Sequence, residues 1–171
     1  MTYRDPVEEA ERIRLFTWGD VFPVDPAQIA RQLGVDVRRA AVRREISGAL
    51  VKKLGEDPRI LLNANDHIDR QRFACAHELG HFIAQEVDPD EYEYIDLRQT
   101  MYSASGRDPD ELFANRFAAQ LLMPEDEVRR LIDSGISVTL MARRFRVSQD
   151  VMANHLKSLG VSGSLAYALE A

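Results

Sequence analysis

Two histidines and a glutamate interrupt the most apolar segment of the chain. In the run FACAHELGHFIA, residues 73–84, the polar side chains are those of His77, Glu78 and His81. Polar groups in a buried segment cost free energy unless each has a partner. On a helix, His77 and His81 lie about 40° apart on one face, near enough to bind one ion. We therefore interpret this run as a metal-binding helix.

Glu78 supplies the chemistry of the pattern. Its side chain projects about 100° further round the helix, beside a bound ion without binding it. This is the H-E-x-x-H arrangement, in which two imidazoles hold zinc and the carboxylate accepts a proton from an activated water. The alternative is a pair of core histidines satisfied by hydrogen bonds. We predict one Zn²⁺ per chain, although His₂Glu sites also accept other divalent ions such as Mn²⁺.

A catalytic zinc usually has three protein ligands and one position for water. The best third ligand is Glu111, because it shares a predicted buried helix face with Asn115. Arg116 and Gln120 would then lie on the opposite, solvated side, and Asn115 would orient one of the metal ligands without binding the metal itself. The competing interpretation makes Glu111 only a capping-box residue, and Asp110 is the substitute ligand.

The remaining elements predict an α+β domain. Three short β-leaning runs between Val35 and Asn63 predict a small antiparallel sheet with Lys52 and Lys53 turned outward. Helix start and stop signals flank it on both sides. They predict helices from Asp5 to Leu15, from Asp25 to Gly34, from Asn65 or Asp66 through the metal-binding run, from Asp108 to Pro124, a short one ending near Gly135, and two starting at Ser137 and Ser148.

The C-terminal pair of helices has the spacing of a helix-turn-helix. We predict a metallopeptidase domain over 1–136 with a helical subdomain, 137–171, packed on it. The arginines and lysine within 138–160 make a DNA-binding element conceivable. The apolar residues of the pair instead favour packing or partner docking, so direct nucleic-acid binding is the less favoured interpretation. These apolar residues are Leu140, Met141, Phe145, Val147, Val151, Met152 and Leu156.

Composition limits the class of protein. The chain has 171 residues, 45% hydrophobic and 29% charged, which suits one globular domain with a full core. A net charge of −6 argues against bulk attraction to nucleic acid or to membranes. The single cysteine, Cys75, excludes an internal disulfide, and we interpret it as buried packing. With no signal-peptide pattern and no apolar run of membrane-spanning length, the sequence predicts a cytoplasmic protein.

Two motifs together resemble the ImmA/IrrE family of zinc metallopeptidases, a gluzincin-type group. They are RQRFACAHELGHFIAQ and, about thirty residues on, ELFANRFAAQLLMP. The resemblance implies that His77, His81 and Glu111 bind zinc and that Glu78 is catalytic. It also implies limited, site-specific cleavage of a helix-turn-helix repressor or antitoxin-like partner encoded nearby. The residue spacing by itself supports only metal-assisted hydrolysis.

Three functions remain open at this point. The first is an intracellular zinc endopeptidase acting on a regulator, with its substrate along a strand edge within 48–63. The second is a non-enzymatic zinc-containing module that binds a repressor or DNA, and the third is a toxin protease of a toxin–antitoxin pair. The sequence does not choose an oxyanion-stabilising residue among the candidates, which are His67, Tyr92, Tyr94 and Tyr102.

Overall fold

The chain folds into seven described helices and a small sheet that packs mainly against one of them. The computed structural model describes residues 5–53, 55–85 and 108–161, and the backbone of Tyr94–Ile95. The predicted α+β class is confirmed. The elements are α1 (Pro6–Thr17), α2 (Pro26–Gln32), β1 (Asp36–Ala40), β2 (Gly48–Lys52), β3 (Arg59–Asn63), α3 (Ile68–Ala84), β4 (Tyr94–Ile95), α4 (Pro109–Leu122), α5 (Glu125–Asp133), α6 (Val138–Phe145) and α7 (Gln149–Ser158).

Side-chain caps define the starts of most helices. The predicted N-caps of α2, α4, α6 and α7 are confirmed, since each accepts a hydrogen bond from the first turn: Asp25, Asp108, Ser137 and Ser148. Asp5 caps α1 in the same way. The prediction for α3 is wrong. His67, not Asn65 or Asp66, is its N-cap, and Nδ1 of His67 accepts a bond from the Asp69 amide at 3.2 Å. The Asp66 carboxylate pairs with Arg70 at 3.2 Å instead.

The sheet is mixed, with the strand order β1-β3-β2-β4. β2 and β3 are antiparallel, with Gly48 opposite Leu62, as predicted. β1 is parallel to β3, with Val37 opposite Ile60, so the prediction of a wholly antiparallel sheet is wrong for β1. The alternation of apolar residues specifies which face of a strand is buried, and it does not specify which strand lies beside it.

One lysine of β2 departs from the predicted pattern. Lys53 is exposed as expected, but Lys52 is only 6% exposed. Side chains two residues apart share a face of a strand, so Lys52 lies on the same face as Gly48 and Leu50. Gly48 faces α3, and this face of the sheet is covered by that helix.

The helices α3 and α4 form the centre of the molecule. The sheet and α2 pack on α3, and α1 packs on α4. This arrangement also buries Gln120, which is 7% exposed and accepts a hydrogen bond from the Glu125 amide at 3.3 Å. The prediction that Gln120 lies on a solvated side of α4 is therefore wrong, while Arg116 is exposed as expected.

The two C-terminal helices contribute to the same core. Six of the seven apolar residues predicted to pack are buried; the exception is Leu140, which is 50% exposed. Arg72 of α3 donates hydrogen bonds to the carbonyl groups of Val24 and Arg146. These bonds link α3 to the segment before α2 and to the residue that ends α6. Among the described residues, every helix is too short or too polar to cross a lipid bilayer. The boundary between 1–136 and 137–171 stays a prediction.

Candidate metal centre

The structure brings together three side chains that could hold a metal ion. His77 and His81 extend from α3, and Glu111 extends from α4. The two Nε2 atoms are 2.8 Å apart. The Nε2 atom of His81 is 3.2 Å from Oε1 of Glu111, and that of His77 is 3.9 Å from Oε2. Both imidazoles are almost fully buried, and the Glu111 side chain is 16% exposed, so the group opens toward solvent on the glutamate side.

These distances are close to those between ligand atoms of a tetrahedral metal site. Zinc–nitrogen and zinc–oxygen bonds of about 2.0–2.2 Å at tetrahedral angles separate neighbouring ligand atoms by about 3.3–3.6 Å. The three distances in the triad lie on either side of that range. Two imidazoles and one carboxylate also form a donor set that catalytic zinc sites use, with a fourth position left open. The triad fits a metal site, and the identity of the metal stays a prediction.

A glycine allows the two metal-site helices to meet. A Cβ atom at Gly80 would lie 2.8 Å from Cα of Ala114 and 3.2 Å from the ring of Phe117. Glycine inside a helix costs about 1 kcal/mol relative to alanine, so its presence there indicates a close packing contact. The sequence interpretation overlooked this residue, although a glycine in the middle of an apolar helix was the available signal.

Local structure also directs Glu111 toward the histidines. Asp108 caps α4 and Pro109 occupies its first position, so Glu111 lies in the first turn. An anionic side chain is stabilised there by the helix dipole. Glu111 is three residues before Ala114, which contacts α3, and positions three apart share a helix face. The Glu111 carboxylate therefore reaches the imidazoles, as the ligand interpretation requires.

Glu78 lies on a different side of α3 from the triad. It is fully buried, and its Cγ and Oε1 atoms face Gly48 at the start of β2. The sheet therefore covers the carboxylate while α4 covers the histidines. This is the rotation of about 100° between neighbouring helix residues that the H-E-x-x-H pattern requires. The geometry is compatible with a base beside the metal, and the catalytic role stays a prediction.

The other candidates lie further from the triad or outside the described part of the chain. Asn115 lines a cavity of about 650 Å³ between α4 and α7, and its orienting role stays a prediction. Asp110 is exposed and is not part of the triad. His67 caps α3, and its side chain is 76% exposed. The side chains of Tyr92, Tyr94 and Tyr102 lie outside the residues described.

Cys75 is confirmed as a buried packing residue. It is two positions before His77 on α3 and is 1% exposed. Burial raises the pKa of its thiol to about 12, because the apolar surroundings disfavour the thiolate. A thiol of this kind is neither a nucleophile nor a metal ligand near neutral pH.

A comparison with known families identifies the chain. No curated protein matches the sequence significantly. Residues 30–157, well over half of the chain, match the family model Peptidase_M78, described as the IrrE N-terminal-like domain. The matched segment includes both metal-site helices, the strands β1 to β3, and nearly all of α7. The chain therefore belongs to the Peptidase_M78 family of IrrE N-terminal-like domains.

Proposed function

We propose that the chain is a metal-dependent endopeptidase that makes limited, site-specific cuts in a partner protein. The observation that carries the proposal is the meeting of His77, His81 and Glu111 from two helices around one point, with donor distances that suit a divalent ion. The peptidase family of the chain supports the same reaction class. Zinc is the proposed metal, and when bound it supplies Lewis-acid chemistry that lowers the pKa of water and polarises a carbonyl group.

The protein residues around that metal have distinct tasks. The imidazoles of His77 and His81 and the Glu111 carboxylate would hold the ion, and a catalytic site of this kind keeps a further position for water or substrate. The Glu78 carboxylate accepts a proton from the attacking water and delivers it to the departing amine. Its burial in a water-poor site strengthens its interactions with the reacting atoms.

The substrate backbone has a natural place beside β2. This strand pairs with β3 along one edge, whereas on its other edge β4 pairs with it at Val51 and Lys52. In the described part of the chain, no strand pairs with Gly48–Leu50 on that edge, and the segment starts next to Glu78. An extended peptide bound there would form an added strand. We propose that the scissile bond is presented to the metal in this way. Main-chain hydrogen bonds would then provide affinity, and side-chain pockets would provide selectivity.

The proposed partner is a helix-turn-helix repressor or an antitoxin-like regulator encoded near this chain, in the cytoplasm. Its support is the resemblance to the ImmA/IrrE family. Direct DNA binding by the chain is not proposed, because two arginines of the C-terminal helix pair are already paired. Arg144 donates hydrogen bonds to Glu127, the nearer at 2.8 Å, and Arg146 lies 3.7 Å from Asp69. Such pairing reduces the positive potential that phosphate contacts need.

The Glu78→Gln variant tests the reaction. Zinc affinity should remain as in the wild type, whereas cleavage of the neighbouring repressor should fall by about 10²–10⁴-fold, the usual contribution of a general base. Fragments are measured by mass spectrometry and bound zinc by competition with a chromogenic chelator. Glu8→Gln, on the exposed side of α1, is the matched control and should cleave normally.

The alternatives predict different outcomes in the same experiment. Stable binding of the repressor without fragments, with or without chelator, would favour the non-enzymatic module. Damage to many cellular proteins by the wild type would favour the toxin protease. Undiminished cleavage by Glu78→Gln would remove Glu78 from the mechanism.

A further inference from the structure

We propose that Gly48 is a positioning residue that fixes the Glu78 carboxylate beside the metal triad. This inference rests on the proposed role of Glu78 as general base. The first observation is the contact itself. A Cβ atom at Gly48 would lie 3.2 Å from both Cγ and Oε1 of Glu78 and 3.4 Å from Cβ of Ala74. The missing side chain at Gly48 thus leaves the room that the carboxylate uses.

The contact belongs to a continuous line of interactions along α3. Arg70, Ala74 and Glu78 are spaced four residues apart, so they form one stripe of the helix. Arg70 at the start of the stripe donates a hydrogen bond from Nε to Oγ of Ser47 at 3.0 Å. The next two members of the stripe face Gly48. The Ser47–Gly48 dipeptide therefore contacts this stripe of α3 from Arg70, in the first turn, to the carboxylate of Glu78.

The backbone of β2 is held firmly at this point. Gly48 is paired with Leu62 of β3, and the Asn63 amide donates a hydrogen bond to the carbonyl oxygen of Ser47 at 3.1 Å. The Asn63 side chain donates a further bond to the carbonyl oxygen of Ile46 at 2.8 Å. With Asn63 only 1% exposed, solvent does not compete for these bonds. A methyl group added at Gly48 would therefore move Glu78 rather than the strand.

A small displacement of a general base has a measurable effect on rate. A contact at 3.2 Å requires a shift of a few tenths of an ångström, and misplacement of reacting groups by about 1 Å costs about 10²-fold. Gly48→Ala should therefore lower kcat by about 10-fold. KM should change little, since the methyl points toward α3 and away from an added strand. Zinc affinity should also remain unchanged, because the triad lies on another side of the helix.

A double-mutant cycle on thermal stability tests the contact without an activity assay. Glycine inside a strand is less stable than alanine, so a methyl that meets nothing should raise the Tm by about 1–4 °C. We expect this gain for Gly48→Ala in the Glu78→Ala background, where the Cγ and carboxylate atoms of residue 78 are removed. We expect no gain, or a loss, in the wild type. Glu78→Gln keeps the shape of glutamate and is the matched control, in which Gly48→Ala should behave as in the wild type.

The outcomes separate this inference from the proposed function. Equal Tm changes for Gly48→Ala in all three backgrounds (wild type, Glu78→Ala and Glu78→Gln) would overturn the contact, whatever the activity. Cleavage of the neighbouring repressor by Gly48→Ala with an unchanged kcat would overturn the positioning role. If the wild type cleaves nothing, the proposed function fails, and the cycle still decides whether Gly48 sets the position of Glu78. Non-additive Tm changes together with a lower kcat and an unchanged KM would support the full inference.

Discussion

Gly80 on α3 and Ala114 on α4 are in backbone contact. Even one methyl group at Gly80 has no room, since its carbon would lie 2.8 Å from Cα of Ala114 and 3.1 Å from the Ala114 carbonyl oxygen. One helix carries His77 and His81 and the other carries Glu111. The separation between these helices decides whether the carboxylate reaches the imidazoles. Gly80 therefore belongs to the metal centre although it offers no ligand atom.

Gly80→Ala should destabilise the protein and weaken metal binding together. Helix propensity alone would stabilise the variant by about 1 kcal/mol, whereas overpacking of a filled interface costs about 1–3 kcal/mol. We expect a net loss of free energy of unfolding and at least a tenfold loss of zinc affinity, because the ligands separate. Denaturant unfolding and chelator competition measure the two effects. A more stable variant with unchanged zinc affinity would show that the helices do not depend on this contact.

Removal of the third ligand should have a larger effect on the metal than on the fold. Glu111→Ala should reduce zinc affinity by more than about 100-fold, which exceeds the effect of losing an outer partner of a ligand. The neighbouring Asp110→Asn is the matched control and should bind zinc as the wild type does. Isothermal titration of both metal-free variants gives the comparison. Equal losses in the two variants would mean that charge near the start of α4, and not coordination, controls the affinity.

The thiol of Cys75 should react only when the protein unfolds. Its raised pKa of about 12 means that about one thiol in 10⁴ is ionised at pH 8, whereas an ordinary cysteine is partly thiolate there. Since the side chain is also buried, we expect alkylation by iodoacetamide to be at least about 10³-fold slower in the native state than in denaturant. Mass spectrometry after timed quenching measures both rates. Rapid native labelling would indicate frequent local opening of α3.

His155 should make the protein less stable in mild acid. Burial is the main cause of its lowered pKa, since it outweighs the hydrogen bond to the Met123 carbonyl and the attraction of Glu125, which raise the pKa. The folded state therefore binds a proton less readily than the unfolded state. The contribution of His155 to the free energy of unfolding is therefore fully present above its pKa in the unfolded state, about 6.5. It is lost as pH falls through its lower pKa in the folded state.

A glutamine variant isolates this contribution. His155→Gln retains an N–H donor for the Met123 carbonyl but does not titrate. The difference in unfolding free energy between the wild type and His155→Gln should favour the wild type less at pH 5.5 than at pH 7.5. The metal-free protein is used at both pH values, so that loss of the ion does not contribute. If the difference in unfolding free energy between the wild type and His155→Gln does not change with pH, the pKa of His155 is the same in the folded and unfolded states.

Local signals predicted most of the helices and the proximity of His77, His81 and Glu111. Capping residues such as Asp108 and Ser137 act through hydrogen bonds within one turn, so their effect is visible in a short stretch of sequence. The two histidines are related by helical geometry, which is also local. Glu111 was found because a carboxylate on a buried helix face needs a partner. The structure places that carboxylate next to the histidines.

Features that depend on distant packing were not predictable in this way. The burial of Lys52 depends on the helix that covers its face of the sheet, and the burial of Gln120 depends on helices that flank α4. The parallel pairing of β1 with β3 joins strands that are not neighbours in the sequence. The contacts of Gly48 and Gly80 join separate elements as well. Each of these features becomes visible only when two distant segments are placed side by side.

The first helix shows that sequence similarity and physical folding have different boundaries. α1 precedes the segment that matches the family, yet it packs against α4 and buries Ala10 and Ile13. A fragment of residues 30–157 would retain every proposed metal ligand. It would lack α1, so the apolar face of α4 that α1 covers would be exposed to solvent. The segment that matches the family model, residues 30–157, is thus shorter than the segment that forms the buried core. Expression of an isolated catalytic fragment should begin upstream of Pro6.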